Sequence, residues 1–371
     1  VSFLATLQTV RGVRHGLVAA AALTLAGYAH MGAQSTDLPF RIERLDPALD
    51  ELIAPDAPLE TLGDRFALTE GPLWVPEGND GYLLFSDNAA NVIYKWTRGR
   101  PLSVFLENSG FTGKDNSTVG AQTVAGRVAI LLIGSNGLAL DPEGRVVVTA
   151  MADRTVYRIE KDGSRRILAD RFEGKRFNGP NDIVIKSNGA VYFTDTVWGL
   201  RGAAKDPARE LPFSGFYLVK DDKVTLLGGD RDTPGASPNG ITLSPDERHL
   251  YVTAGFQRTM RYDVLPDDTV ANGRPFVNHG TDGMRVDRRG NLYTTSGGTP
   301  GQVRIWSSEG KPLGILHLPQ PAGEPRARVC ATNVAFGDSD DRGLYITACT
   351  HVFRLRMKQP GVRPGRLPGP G

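Results

Sequence analysis

One short unit recurs along the chain, and it constrains the fold more than any other feature. Its sharpest copy spans 177–195: Asn181-Asp182, the apolar run Ile183-Val184-Ile185, a polar turn at 186–189, then Val191-Tyr192-Phe193-Thr194-Asp195. That is the pattern of two short strands about a tight turn. Asn136-Gly137, Asn239-Gly240, Asp282-Gly283 and Asn333 head copies of the same form, and Glu70-Gly71 heads a looser one. A third strand is expected after each pair, at 91–96, 155–159, 215–219, 259–263, 302–306 and 351–355. Copies recurring every ~40 to 60 residues mark a repeat architecture. The spacing leaves room for a fourth, outer strand in each copy. The expected fold is therefore all-β: a six-bladed β-propeller of four-stranded antiparallel blades around a central channel.

The repeat also places candidate chemistry. The innermost strand of each propeller blade lies along the channel, so equivalent positions form a ring. Here that ring is Glu70, Asn136, Asn181, Asn239, Asp282 and Asn333, every one a carboxylate or carboxamide. Oxygen-bearing side chains converging on one axis suit a hard cation, most simply Ca²⁺. For any single copy the alternative is a turn pair that tolerates positive φ and binds nothing.

A chain of 371 residues would ordinarily be divided into two or three domains, but a closed propeller is one. The net charge of +2 and the lack of a basic stripe interleaved with aromatics imply neither nucleic acid nor an anionic membrane as partner. Residues 1–33 carry Arg11, Arg14 and His15 ahead of an apolar run and small residues, the form of a secretory signal peptide. The run is short for a membrane span. The expected product is exported, periplasmic or secreted, or membrane-anchored if the segment is retained. Residues 34–69 read as an extension packing on the propeller and able to supply a closing strand, 70–357 as the propeller, and 358–371, rich in Pro and Gly, as a disordered tail. Residues 109–135 interrupt the rhythm, as a lid over the channel mouth or a plain insertion. In a second long loop, Trp198 either walls the pocket or packs beneath the loop. Cys330 and Cys349 flank the strands of the last blade, as a disulfide or as two buried thiols. No Gly-x-Ser-x-Gly elbow, phosphate-cradling Gly loop or zinc pattern is present.

Glu70-Gly71-Pro72-Leu73-Trp74, Asn178-Gly179-Pro180-Asn181-Asp182, Pro238-Asn239-Gly240-Ile241 and Thr281-Asp282-Gly283-Met284 resemble the motifs of the gluconolactonase, regucalcin and senescence-marker-protein family, over nearly the whole chain after residue 69. The resemblance implies a six-bladed propeller with one divalent cation held by Glu70, Asn181, Asn239 and Asp282. Asn136 and Asn333 would then face the substrate. It also implies hydrolysis of a small-molecule lactone, sugar-type, to the hydroxy acid, with Asp282 taking the proton from water. Asp182 would orient Asn181 or another ligand, or simply cap its turn. Zn²⁺, Mn²⁺ or Mg²⁺ are alternatives to Ca²⁺. Other readings of the same fold are a metal-dependent phosphotriesterase-like hydrolase and a binding propeller with a structural Ca²⁺. The chain departs from the family at Met151-Ala152-Asp153-Arg154, where members often carry a His, and at Asp195-Thr196-Val197-Trp198-Gly199, where Asp-Pro-Pro-Tyr-Gly is usual. Both departures fall on pocket walls and leave open which lactone is used.

Overall fold

A computed structural model describes residues 38–362 apart from 125–126, 233–234, 236, 299 and 322–328. The chain parts into two compact units, Val1–Ser35 and Thr36–Gly371. The first, with the expected signal segment, lies outside the described residues, as do 363–371. No described helix is long and apolar enough to cross a membrane.

The second unit is a six-bladed β-propeller. Its inner strands are Thr69–Glu77, Ser135–Leu140, Pro180–Ile185, Ile241–Leu243, Met284–Val286 and Asn333–Gly337. Each pairs antiparallel with the next strand of its blade, as Ile183 with Phe193 and Val184 with Tyr192. The repeats fold this way because inner and second strands carry β-branched and aromatic residues with both faces apolar. One face packs on the preceding blade and the other on the following blade. Ile183, Phe193, Phe177 and Tyr217 meet Val147 and Val156 of blade two, while Val184, Tyr192 and Phe216 meet Ile241, Leu250 and Val252 of blade four. Each such side chain contributes about 1.5–3 kcal/mol by burial. Outer strands such as Ser103–Glu107 are half-buried or exposed and correspondingly mixed in sequence.

The outer strands faint in the sequence are present, and two come from the N-terminal segment. Leu59–Gly63 pairs with His351–Arg356 as the fourth strand of blade six and so closes the ring. Arg41–Arg44 adds a fifth strand to blade five against Pro312–His317. The propeller sheets thus extend beyond the 70–357 bounds read from the repeat. The tail boundary is corrected too. The Lys358 N–H donates to the Leu52 carbonyl and the Gly361 N–H to the Asp341 carbonyl, so 358–362 lie against the blades. Gly361 permits this, because a Cβ there would sit 1.8 Å from the Phe336 ring.

Neighbouring blades are joined near the channel by a belt of buried hydroxyls. Ser86 donates to the Asn136 carbonyl (2.9 Å), Thr149 to the Asn181 carbonyl and Thr194 to the Asn239 carbonyl (2.7 Å). Thr253 donates to the Thr281 carbonyl, Thr295 to the Thr332 carbonyl, and Thr332 to the Thr69 carbonyl, which completes the circuit. Every ring residue is therefore held, at its own carbonyl or its neighbour's, by the preceding blade.

Candidate metal and active site in the channel

The ring residues stand at the channel end of their strands. Glu70, Asn136, Asn181, Asn239 and Asn333 are buried and Asp282 is half-buried. The glycines after them explain the recurring dipeptides. Gly137, Gly240 and Gly283 do not have positive φ, so turn geometry is not the reason for them. A Cβ on Gly240 would lie 2.5 Å from the Asp282 carbonyl oxygen, and one on Gly283 would lie 2.1 Å from Asn333 Cγ. The inner strands converge so closely that only hydrogen fits between a ring residue and the next blade.

Two side chains of the proposed ligand set meet directly: Asn239 Nδ2 donates to Asp282 Oδ1 at 2.8 Å. Glu70 is close enough to feel their charge. Burial, then the charges of Asp282 and Asp182, push its carboxyl well above the usual carboxylate range, against the pull of the Gly71 N–H. Burial likewise pushes Asp282 up to about 7, with the Asp182 charge adding to it and the Asn239 hydrogen bond opposing. Gly297, at φ +66°, lies against this carboxylate and leaves it open where a side chain would crowd it. Asn181 and Asn136 add carboxamides that form no side-chain hydrogen bond among the described residues. Asn333 is committed differently, its Oδ1 accepting the Val334 N–H.

Asp182 does not hydrogen-bond to Asn181. Its carboxylate accepts the N–H groups of Ile183 and Ile241 and pairs with the Arg285 guanidinium. Arg285 lies on the inner strand of blade five, so the pair reaches across blade four. Arg285 offsets part of the Asp182 charge, whereas Glu70 and Asp282 have no basic partner among the described residues.

Trp198 lines a cavity beside Asn239 and also packs on the apolar cluster of Leu68, Leu132, Met151, Cys330 and Cys349. Leu132 brings the 109–135 insertion into that cluster. The insertion forms a hairpin, Ala121–Val124 with Arg127–Leu131, tied to the second long loop by Gly120 N–H to Gly199 carbonyl and Arg201 N–H to Thr118 carbonyl. Cys330 and Cys349 are disulfide-bonded with Cα atoms 5.4 Å apart.

Reasoning from the repeat missed the parts that hold the ring in place. Asp87 accepts the N–H groups of Ala67 and Leu68, just before Glu70, and Asp195 accepts those of Asn178 and Gly179, just before Asn181. Burial pushes Asp195 up to about 7 against these hydrogen bonds and the nearby Arg154 charge. Ser86-Asp87 and Thr194-Asp195 occupy matching repeat positions, which was the available signal. Arg285 was legible as a charge inside a buried apolar strand.

Among the described residues no group of three or more His, Cys, Asp or Glu side chains is disposed to hold an ion. The channel offers two carboxylates with carboxamides instead. That donor chemistry would fit a hard divalent cation: every candidate donor is oxygen, and two carboxylates would match its charge.

The fold and this oxygen-lined channel define a propeller with an axial site. The chain belongs to the SMP-30/gluconolactonase/LRE-like family, whose model matches residues 68–350. It is 32% identical over 340 residues to a gluconolactonase of Zymomonas mobilis subsp. mobilis, covering 86% of this chain and 87% of that one. It is 32% identical over 148 residues to lactonase drp35 of Staphylococcus aureus, covering 38% of this chain and 42% of the relative. The structure of XC5397, a gluconolactonase from Xanthomonas campestris, superimposes with a TM-score of 0.67 at 26% identity, covering 87% of this chain and 98% of that one.

Proposed function

We propose that this protein is a lactonase that opens a sugar-type lactone to the hydroxy acid. It uses a divalent cation, most simply Ca²⁺, held by Glu70, Asn181, Asn239 and Asp282. The observation that carries the reading is the channel ring, where Glu70 and Asp282 lie within reach of each other's charge beside Asn239 and Asn181. Relatives named gluconolactonase and lactonase supply the reaction class.

When bound, the cation would polarise the lactone carbonyl and stabilise the developing oxyanion. The chain's own residues do the rest. Asn239 orients Asp282 through the 2.8 Å hydrogen bond to Oδ1. Asp282, on the channel beside Asn239, is assigned as the general base. It takes a proton from the water whose oxygen adds to the carbonyl carbon. As the ring C–O bond breaks, it returns that proton to the departing oxygen, which becomes the product hydroxyl. Asn136 faces the same channel and is assigned to binding substrate. Trp198, on the cavity beside Asn239, is assigned to its wall. Asn333 is placed with them, through its amide nitrogen. The disulfide suits an oxidising compartment, which supports reading the chain as exported.

The test is lactone opening by chelator-stripped protein, followed by acid release, with Ca²⁺, Zn²⁺, Mn²⁺ and Mg²⁺ returned singly. Activity restored by a cation, and lost in Asp282→Asn, supports the reading. Folded, cation-loaded protein inert to glucono-lactone, other aldonolactones and aliphatic lactones would overturn it.

A further inference from the structure

Asp182 and Arg285 each break the repeat. The residue after the ring position is Gly at 71, 137, 240 and 283 and Val at 334, and only Asp182 is charged there. Three residues after the ring position stand Leu73, Ala139, Val184, Thr242 and Phe336, and only Arg285 is charged there. The other copies form their inner strands without a charge at either place, and the two exceptions meet each other.

What the pair touches gives it a use. Asp182 Oδ2 accepts the Ile241 N–H at 3.1 Å, and Arg285 Nη1 reaches the Ile241 carbonyl at 3.4 Å. Both main-chain groups of Ile241 are thus held by the one pair. The same Arg285 nitrogen donates to the Met284 carbonyl at 2.6 Å. Ile241 and Met284 are the first residues of their inner strands. Asn239-Gly240 runs straight into Ile241, and Asp282-Gly283 straight into Met284. Asn181 adjoins Asp182 itself, whose Oδ1 accepts the Ile183 N–H at 2.9 Å. The pair therefore grips the backbone of blades three, four and five within two residues of Asn181, Asn239 and Asp282. A cation site needs its oxygens at set separations, and the groups behind the ligands fix them.

We propose that the Asp182–Arg285 pair is a clamp that sets the spacing of Asn181, Asn239 and Asp282 around the cation. Arg285 is then a positioning residue for lactone opening. This rests on the ligand set of the lactonase reading and deepens it.

The experiment is calorimetric titration of the chelator-stripped full chain with Ca²⁺, Zn²⁺, Mn²⁺ and Mg²⁺ in turn. The main probe is the double variant Asp182→Asn, Arg285→Met, checked by circular dichroism for an intact fold. It leaves the net charge unchanged and strands no buried charge, so a change in affinity reports geometry. For the cation that the parent binds most tightly, its Kd should rise by about tenfold or more. The cation concentration giving half-maximal lactone turnover should rise with it. Arg285→Lys is the second variant. It keeps a charge but lacks the planar fork that reaches Asp182 and two carbonyls at once, so its Kd should rise as well. If the double variant misfolds, Arg285→Lys decides alone. A Kd within about twofold of the parent in the folded variants overturns the clamp and leaves the ligand set in place. A parent that binds none of the four cations overturns both.

Discussion

Asp182 and Arg285 meet inside the channel from blades three and five, with Nη1 3.4 Å from Oδ2 and side chains 1% and 3% exposed. Two charges this deep are costly to bring out of water, and each is tolerable only because the other is present. Arg285→Met leaves Asp182 uncompensated among Ile183, Ile241 and the ring carboxylates. The expected loss is about 3–5 kcal/mol in urea unfolding. The double variant Asp182→Asn, Arg285→Met removes both charges and should recover most of it. Equal losses in the single and double variants would show that the pair is not what holds these strands.

Glu70→Gln should have two opposite effects. Without added cation the variant should be more stable than the parent, because a buried carboxylate beside Asp282 and Asp182 is replaced by a neutral side chain of similar shape. With Ca²⁺ at about 100 times the parent's Kd, the parent should gain about 2.7 kcal/mol and the variant clearly less. Thermal unfolding with and without Ca²⁺ reads both. A variant stabilised by Ca²⁺ as strongly as the parent would remove Glu70 from the ligand set.

The hydroxyl belt should matter for stability out of proportion to its size. Thr194→Val keeps the volume and removes the donor to the Asn239 carbonyl. A buried carbonyl left without that partner costs about 1–3 kcal/mol. Because Asn239 also carries the hydrogen bond to Asp282, the variant's kcat should fall as well. Denaturant unfolding and steady-state kinetics on the same preparation check both effects.

The repeat made the six blades and the ring readable. Inner strands such as Ile183-Val184-Ile185 must be apolar on both faces, and the polar residue heading each strand then stands out. The outer strands were faint because one face is solvated: Ser103–Glu107 mixes Ser, Val, Phe, Leu and Glu. Closure of blade six by Leu59–Gly63 joins residues about 290 positions apart, and no local pattern encodes such a pairing. Asp182 illustrates the limit at the site. Its position beside Asn181 was plain, but its partner Arg285 lies two blades away and could be named only once the strands were arranged. The pairs at Gly137 and Gly240 looked like turns, whereas the next blade's backbone is what requires the glycine there.

His279 sets a pH dependence. Its buried Nε2 has no hydrogen-bond partner among the described residues, and its ring centroid lies 5.8 Å from that of Trp306. Burial, aided by the Arg304 charge, pulls its pKa down from 6.5 to about 4. Between these values the unfolded chain binds the proton and the folded chain does not, so stability falls as pH drops from 6.5 towards 4. The contribution is roughly 2–3 kcal/mol. His279→Phe keeps a ring beside Trp306 and does not titrate, so its stability should change less across that window. Parallel slopes for the two proteins in urea titrations at stepped pH would assign the dependence to other groups.

The disulfide ties the segment before Asn333 to Cys349, whose backbone in turn holds Thr69 beside Glu70. Cys330 lies three residues before Asn333, and the Cys349 carbonyl accepts both the N–H (2.8 Å) and the hydroxyl (2.9 Å) of Thr69. The bond closes a loop with a sequence separation of 19 residues, for which lost loop-closure entropy in the unfolded chain amounts to about 3 kcal/mol. The hydrogen bonds from Thr69 go to the backbone carbonyl of Cys349, not to its sulfur, so they persist when the bond is opened. Cys330→Ser, Cys349→Ser should therefore lose about 3 kcal/mol in urea unfolding under oxidising conditions and become insensitive to reductant. Lactone turnover at 25 °C should stay within about twofold of the parent, because the loss acts mainly through the unfolded state. A large fall in kcat with an unchanged unfolding midpoint would mean instead that the sulfur bridge itself holds Glu70 in register.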